Sequence, residues 1–320
     1  GQMLQLPRSS LSIIQTAKNG VKTALLKAPN GISAIGAIFT CGAEDSPKSG
    51  ETFLTLQAKL LDSIQTPENM FKYAITPDLK VYRDHSTILL THLPESSKIA
   101  NTVLDQMFSN TLPSTKSVEQ AKTILGMQEF VGNITPEQFF ESTACSASYN
   151  QPKHKIDIYT NNVSGLTINS DLLSKLKESA ILFGSHDESS NLESLALSLN
   201  RYKPKEFQES IFTPGFCTKE LNSTEFQGVV LQKNLGMQYG ILSFPSVSRD
   251  SKDFLVDKVI QKIFGDVYEF LSEGIGVGLN SLLYKHGIAN GCEYLRCFFF
   301  PYAKNGLFLL LLKQSLNQCL

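Results

Sequence analysis

Apolar and polar residues alternate along much of residues 11–41, the mark of strands with one buried face. LSIIQTAK and VKTALLKA flank Asn19-Gly20, a pair suited to the tight turn of a hairpin. A second Asn-Gly, at 30–31, leads into SAIGAIFTCG, which alternates again. From Ser49 the period changes. Phe53, Leu54, Leu56, Leu60, Leu61 and Ile64 recur at helical spacing and form a broad apolar face. Extended segments are expected near 70–76 and 80–91. A helix is expected over 95–108, with Ile99, Val103, Leu104, Met107 and Phe108 inward. Another is expected over 117–130, ending near Gly132. A third, over 136–148, opens on Thr135-Pro136, a cap followed by a proline in the first turn. Two more, over 170–182 and 187–200, each open with Ser or Asp.

The polar, proline-containing RYKPKEFQ at 201–208 reads as a linker, and the pattern restarts after it. FQGVVLQK and MQYGILSF read as strands around residues 234–236. SVSRD at 246–250 caps a helix over 250–264, with Phe254, Leu255, Val259, Ile260, Ile263 and Phe264 on one side and Gly265 closing it. EYLRCFFFPY and LFLLLLKQ read as strands around Asn305-Gly306. Hairpin, helix, hairpin thus occurs in both halves. The pattern predicts an α+β protein of two related domains, 1–203 and 204–320. Each is a mostly antiparallel sheet with helices packed on one side, and the second is expected to be shortened.

One stretch of the second half stands apart. Asp266 to Tyr284 reads DVYEFLSEGIGVGLNSLLY, with Gly274, Gly276 and Gly278 alternating with Ile275 and Val277. Glycine opens backbone conformations closed to other residues and lets another chain approach closely. A nucleotide-binding G-x-G-x-x-G would follow a strand, whereas here a helical pattern precedes and Leu279 stands at the third glycine position. Two readings stay open: a surface connection, or a loop that handles a peptide. Asp266, Glu269 and Glu273 lie at i, i+3 and i+7, one helical face leading into the loop. They read either as a solvated face or as guides for a basic peptide.

Composition narrows the class. The chain has 320 residues, 42% hydrophobic and 18% charged, with 29 Lys and Arg against 30 Asp and Glu for a net charge of −1. A balance so close to neutral gives no drive toward nucleic acid or an anionic membrane. No apolar run reaches membrane-spanning length, LFLLLL at 307–312 being strand-sized, and no signal-peptide pattern opens the sequence. Six cysteines without a C-x-x-C pair read as reduced thiols in a reducing compartment. No two of the five histidines are spaced as a helical metal pair, and His85 and His92 read as ordinary strand or strand-end residues.

With both halves laid out, the chain resembles the pitrilysin/insulinase-type metallopeptidase family. The likeness is carried first by Asn19-Gly20-Val21, by the corner Cys41-Gly42-Ala43-Glu44-Asp45, and by a helix that starts after Gly50. Active members carry a His-x-x-Glu-His zinc motif in that helix, and here those positions read Phe53-Leu54-Thr55-Leu56-Gln57. Zinc needs imidazole or carboxylate ligands, and a carboxylate must activate its water, so Phe53, Leu56 and Gln57 mark a degenerate site. The third ligand position of the family falls near Gly126. Glu119 and Glu129, on the same predicted helix, read as solvated charges.

The glycine stretch is similar to the glycine-rich loop F-S-x-G-G-P-G-K-G-M-x-S-R-L-Y of the non-catalytic α subunits of processing peptidases. Phe270, the three alternating glycines, Ser281, Leu283 and Tyr284 match in register, while Glu273, Ile275 and Val277 depart. Tyr302 to Phe308 resembles the family's Y-x-D-T-G-L-F strand pair. The family's second domain continues through further helices and a strand, hence the expectation of a shortened one here. The resemblance implies a chain with no metal or cofactor of its own, zinc residing in a catalytic β-type subunit that carries HxxEH. It implies binding of targeting presequences through Asp266, Glu269, Phe270, Glu273, Gly274, Ile275, Gly276, Val277 and Gly278. It also implies residence in the matrix of a mitochondrion or a related organelle, with neither nucleic acid nor a direct membrane span. The alternative it leaves open is a structural core subunit of the respiratory bc1 complex.

Overall fold

The computed structural model describes residues 13–27, 31–64, 70, 72–130, 136–149, 151–158, 160, 162–213, 224–226, 229–231, 237–265, 281–287 and 294–315. The chain divides into two compact units that interleave in sequence. The first is drawn from residues up to Glu129 and from Ile156–Glu206, the second from Phe130–Lys155 and from Phe207 onward. The division at 206/207 falls inside the stretch read as a linker. Residues 136–148, by contrast, belong to the second unit and not to the first.

The first unit is built on a six-stranded sheet of order β1-β2-β6-β3-β5-β4. The strands are β1 (Ile13–Thr16), β2 (Lys22–Leu26), β3 (Ser33–Phe39), β4 (Thr76–Val81), β5 (Ser86–His92) and β6 (Ala180–Ser185). β2 and β6 run parallel and the other neighbours run antiparallel. Register fixes the buried face. Ile35 pairs with Leu90 and Gly184, Ala37 with Ile88 and Leu182, and Phe39 with Ser86 and Ala180. Helices α1 (Glu51–Ile64), α2 (Ser97–Met107), α3 (Thr115–Phe130), α5 (Ser170–Ser179) and α6 (Ser189–Ser198) belong to this unit; α4 (Pro136–Ser148) belongs to the other. Val103, Leu104, Met107 and Phe108 are buried as the periodicity predicts, and the Phe108 ring meets Phe39 edge-on at 5.6 Å.

Two readings of the first half change. The predicted helix over 170–182 ends at Ser179, and Ala180–Ser185 is the strand β6, flanked by β2 and β3. Leu172, Leu173, Leu176 and Ala180 continue one helical stripe straight into Ile181-Leu182-Phe183. No Gly or Pro punctuates the junction, so a short buried strand is indistinguishable there from a last helical turn. The extended segment expected near 70–76 is also displaced. Met70 and Lys72 are helical, and the strand begins at Thr76.

The second unit holds a three-stranded antiparallel sheet of order β10-β11-β9 and a separate pair, β7 (Thr224–Phe226) with β8 (Val229–Leu231). The strands of the sheet are β9 (Met237–Ser246), β10 (Tyr294–Pro301) and β11 (Gly306–Ser315). On one face, Phe140, Ala144 and Cys145 of α4 join Tyr149, Phe298, Leu307, Leu309 and Leu311 in one core. The Tyr149 hydroxyl donates to the Gly306 carbonyl at 3.0 Å. This packing explains why α4 goes with the second unit: its apolar residues find their partners on β10 and β11. Against the other face lie α7 (Phe254–Phe264) and α8 (Leu282–Gly287), with Phe254 against Phe299 and Phe264 against Phe308. Among the described residues, no helix is long and apolar enough to cross a membrane.

Candidate functional site

Phe53, Leu56 and Gln57, the positions expected to mark a degenerate zinc motif, lie on α1, and the local sequence explains how that helix is held. β3 runs out into Cys41-Gly42, and Ala43–Asp45 form a short 3-10 turn. The Asp45 carboxylate accepts from the Gly42 amide at 2.7 Å, and the amides of Ala43 and Glu44 donate to the carbonyls of Tyr82 and Arg83. Lys205 Nζ then pairs with Asp45 at 2.7 Å and with Glu44 at 3.5 Å. Gly42 is required by space rather than by dihedral angle, since a Cβ there would stand 2.3 Å from the Arg83 carbonyl oxygen and 2.5 Å from the His85 nitrogen. Gly42→Ala is therefore expected to cost about 1–3 kcal/mol, because the obstacle is backbone and cannot rotate away. A fall in the urea midpoint at constant slope would measure it; an unchanged midpoint would show that the corner can open.

Gly50 has φ of +79°, which favours glycine, and its carbonyl accepts the first helical bond from Leu54 at 2.9 Å. Its amide donates to the Asp157 carbonyl, and the side chains of Leu125 on α3, Thr160 and Leu166 crowd its missing Cβ. Polar clamps hold the first turns. Thr52 donates to the Gly42 carbonyl at 3.0 Å, Asn169 Nδ2 donates to Ser46, and the Asn169 amide donates to Thr55 Oγ1. Glu51 is buried at the helix N-terminus. Burial pushes its carboxyl up, against the pull of Lys48 and a hydrogen bond with Asn169.

Within this frame Phe53 is 3% exposed and Leu56 is fully buried, both in the main core of the first unit, while Gln57 is half-buried. Apolar or polar, almost every residue from Glu51 to Leu60 is enclosed. A stripe at Gln57, Leu61 and Ile64 stays half-buried, and it holds neither Phe53 nor Leu56. A zinc ion does not fit here. Phe53 and Leu56 have no lone pairs to donate, and a single amide and a single carboxyl do not make a zinc shell. α3 does bring its Leu125-Gly126 segment against the start of α1, where the family's third ligand would be sought, but what it presents to Gly50 is the Leu125 methyl group. Glu119 is a surface charge, 64% exposed and 3.4 Å from Lys122. Among the described residues, no group of three or more His, Cys, Asp or Glu could hold a metal ion.

The proposed presequence contacts Asp266, Glu269, Phe270, Glu273, Gly274, Ile275, Gly276, Val277 and Gly278 lie outside the described residues. So does the side chain of Glu129. Cys41, Cys145 and Cys297 are buried and stand outside any disulfide. Burial pushes the Cys41 thiol up, with the Asp45 charge adding to it.

A buried polar cluster escaped the sequence reading. His92, taken as an ordinary strand end, closes β5 with its side chain fully enclosed. Its Nε2 lies 3.2 Å from Glu188 Oε1, also enclosed, and its Nδ1 lies 2.7 Å from the Leu93 carbonyl oxygen. Asn191 Nδ2 donates to the second Glu188 oxygen at 2.7 Å, and the neighbouring Asp187 accepts from Ser33, whose residue pairs with His92 across the strands. Burial alone would lower the imidazole pKa, but the close contact with the Glu188 carboxylate, the Leu93 carbonyl and the Asp187 charge turn the net shift upward. For Glu188, burial pushes up and the His92, Asn191 and Ser97 contacts win, so its pKa falls. Partners this far apart in sequence leave no local motif. The one available signal is an unpatterned His and Glu, each beside an apolar run.

No family model and no curated protein matches the sequence. Among solved structures, the chain is similar to a peptidase M16 inactive domain from Pseudomonas fluorescens, with a TM-score of 0.67 at 13% identity, over 95% of this chain and 74% of that one. At that identity the likeness establishes the fold alone: the α+β fold of that inactive peptidase domain.

Proposed function

We propose that the chain is a catalytically silent peptidase-fold subunit, an α-type partner of a processing peptidase that recognises targeting presequences. The observation that carries this reading is α1. In a peptidase-type fold, the helix that would carry zinc holds Phe53 and Leu56 sealed in the core. A fold kept while its reactive positions are filled with hydrocarbon fits a chain whose task is binding. The similarity of residues 270–284 to the glycine-rich loop of α subunits supplies the finer assignment. On this reading a β-type subunit bearing HxxEH supplies the zinc and the water-activating carboxylate. A basic presequence is held extended by backbone pairing, which demands little sequence specificity. Asp266, Glu269 and Glu273 attract it, and the chain works in the matrix of a mitochondrion or a related organelle.

The isolated chain is then expected to hold no stoichiometric zinc and to cleave no peptide. Co-expressed with an HxxEH-bearing homologue, it should form a stable complex that binds a fluorescent presequence, and deleting residues 274–278 should weaken binding while leaving assembly intact. One tightly held zinc per isolated chain would overturn the silent-subunit reading. Co-purification with a set of membrane respiratory subunits, and unchanged presequence affinity on loop deletion, would replace recognition with a scaffold role in the bc1 complex.

A further inference from the structure

In the second unit one hydroxyl is set against an imidazole. Ser210 Oγ lies 2.6 Å from His154 Nε2, and both residues are buried. At that distance a histidine can take the proton of a nucleophilic serine. The Ser210 hydroxyl has one proton and two acceptors in reach, His154 Nε2 and, at 3.1 Å, Gln151 Oε1; the imidazole is the nearer. Both members are held in place. The His154 amide donates to the Gln151 carbonyl at 3.0 Å within the short turn Pro152–Lys155, and its ring packs against Tyr149 with centroids 4.7 Å apart. Asn305 Nδ2 donates to the Ser210 carbonyl at 3.2 Å, and two residues further on Phe212 bridges antiparallel to Tyr149.

The pair stands at a cavity of about 470 Å³ formed wholly by residues of the second unit. That volume is in the range of sites for small molecules. Ser210 and Tyr149 line it, with Phe212 and Val247 as apolar wall and Ser248 and Ser251 as polar wall. One acid, Glu209, and one base, Lys304, also line it, both exposed, so charge favours neither sign of ligand. A small neutral molecule with a short apolar arm suits such walls. His154 is 3% exposed and is not among them, so it backs Ser210 from the protein side. A base in that place can take the serine proton but reaches a leaving group poorly. Leaving groups that depart as stable anions, phenolates and thiolates, are therefore favoured over amines.

We propose that Ser210 and His154 form a nucleophile and base that accept short acyl groups from aryl esters or thioesters at this cavity. Ser210 Oγ bonds to the acyl carbon and its proton passes to His154 Nε2. The bond from that carbon to the leaving oxygen or sulfur breaks, and the leaving group departs as an anion that recovers the proton through solvent. Water then splits the acyl-serine, releasing the acid and restoring the hydroxyl. This goes beyond the silent-subunit reading and does not depend on it, because that reading concerns zinc at α1 and peptide bonds.

The test treats the whole chain with diisopropyl fluorophosphate, locates the adduct by peptide mass spectrometry, and follows turnover of p-nitrophenyl acetate. Ser210 should carry the adduct, its oxygen replacing fluoride on phosphorus. Ser210→Ala should remove both the adduct and the ester turnover. His154→Gln should slow labelling by about 100-fold or more, the lower end of what a general base supplies. Gln151→Leu, which removes the other acceptor, should leave labelling in place. Labelling of the unaltered chain should also rise between about pH 5 and 8, as an imidazole gives up its proton, and this reading does not rely on any variant folding. No adduct at Ser210 of the folded parent would overturn the proposal and leave the pair as an internal tie. So would a flat pH profile, ester turnover that survives Ser210→Ala, or labelling at the parent rate in a His154→Gln variant with the parent's melt.

Discussion

Replacing Glu188 with alanine is expected to destabilise the first unit by about 3–5 kcal/mol, the range for removing one member of a buried ion pair and leaving the other charge without its partner. In a unit of this size that corresponds to a fall of roughly 10 °C in the melting temperature. The pair is enclosed on both sides, so solvent screening does not discount the figure. The pH dependence separates this cause from simple loss of packing. His92 has a raised pKa in the folded state, so its contribution is full below its ordinary value of 6.5 and is lost as the pH climbs through the raised one. Glu188 has a lowered pKa, so its contribution is full above its ordinary value of 4.5 and is lost as the pH falls through the lowered one. Both contribute fully between those two ordinary values, and stability should decline on the alkaline side. Glu188→Gln, of nearly the same shape, should flatten that alkaline limb while costing less than alanine. An alanine variant as stable as the parent, or a glutamine variant with the parent's pH profile, would show that the two side chains are neutral neighbours.

The cluster shows what periodicity can and cannot reveal. Strands with clean alternation, such as Ser33–Phe39 against Ser86–His92, were legible because their register puts Ile35, Ala37, Phe39, Ile88 and Leu90 on one buried face. Helix α2 was legible for the same reason at its own period. β6 was not, because nothing in Ser179-Ala180-Ile181 stops a helix; tertiary pairing with β2 and β3 decides the matter. The membership of α4 was not legible either. Its inward residues Phe140, Ala144 and Cys145 are apolar in any setting, and only the packing on β10 and β11 says which sheet they serve. The degenerate site lies between these cases. Sequence showed that Phe53, Leu56 and Gln57 cannot ligate zinc, but not that the first two are sealed in the core while the third is half in solvent.

That difference along one motif sets up the sharpest test of the silent-site reading. Leu56→Glu places a carboxylate where no side-chain surface is exposed and where the neighbours are hydrocarbon. Burying such a group without a partner belongs to the short list of severe substitutions, and a loss above about 4 kcal/mol is expected. Phe53→His should cost about 2–4 kcal/mol, through lost apolar burial and a buried imidazole with unmet hydrogen bonds. Gln57→His, at the half-buried position, should stay within about 1 kcal/mol. The triple variant restores the letters of an HxxEH motif but should neither fold cooperatively nor retain zinc after dialysis, because ligands need a prepared pocket and Phe53 and Leu56 are sealed in the core. Urea titration of the three single variants and metal analysis of the triple variant make the check. A folded triple variant with one zinc per chain would mean that the ligand geometry survives beneath the substitutions, and that the chain differs from an active peptidase by side chains alone. The expected order of losses, Leu56 above Phe53 above Gln57, would instead mean that these positions are core, and that no small set of substitutions makes a zinc site of them.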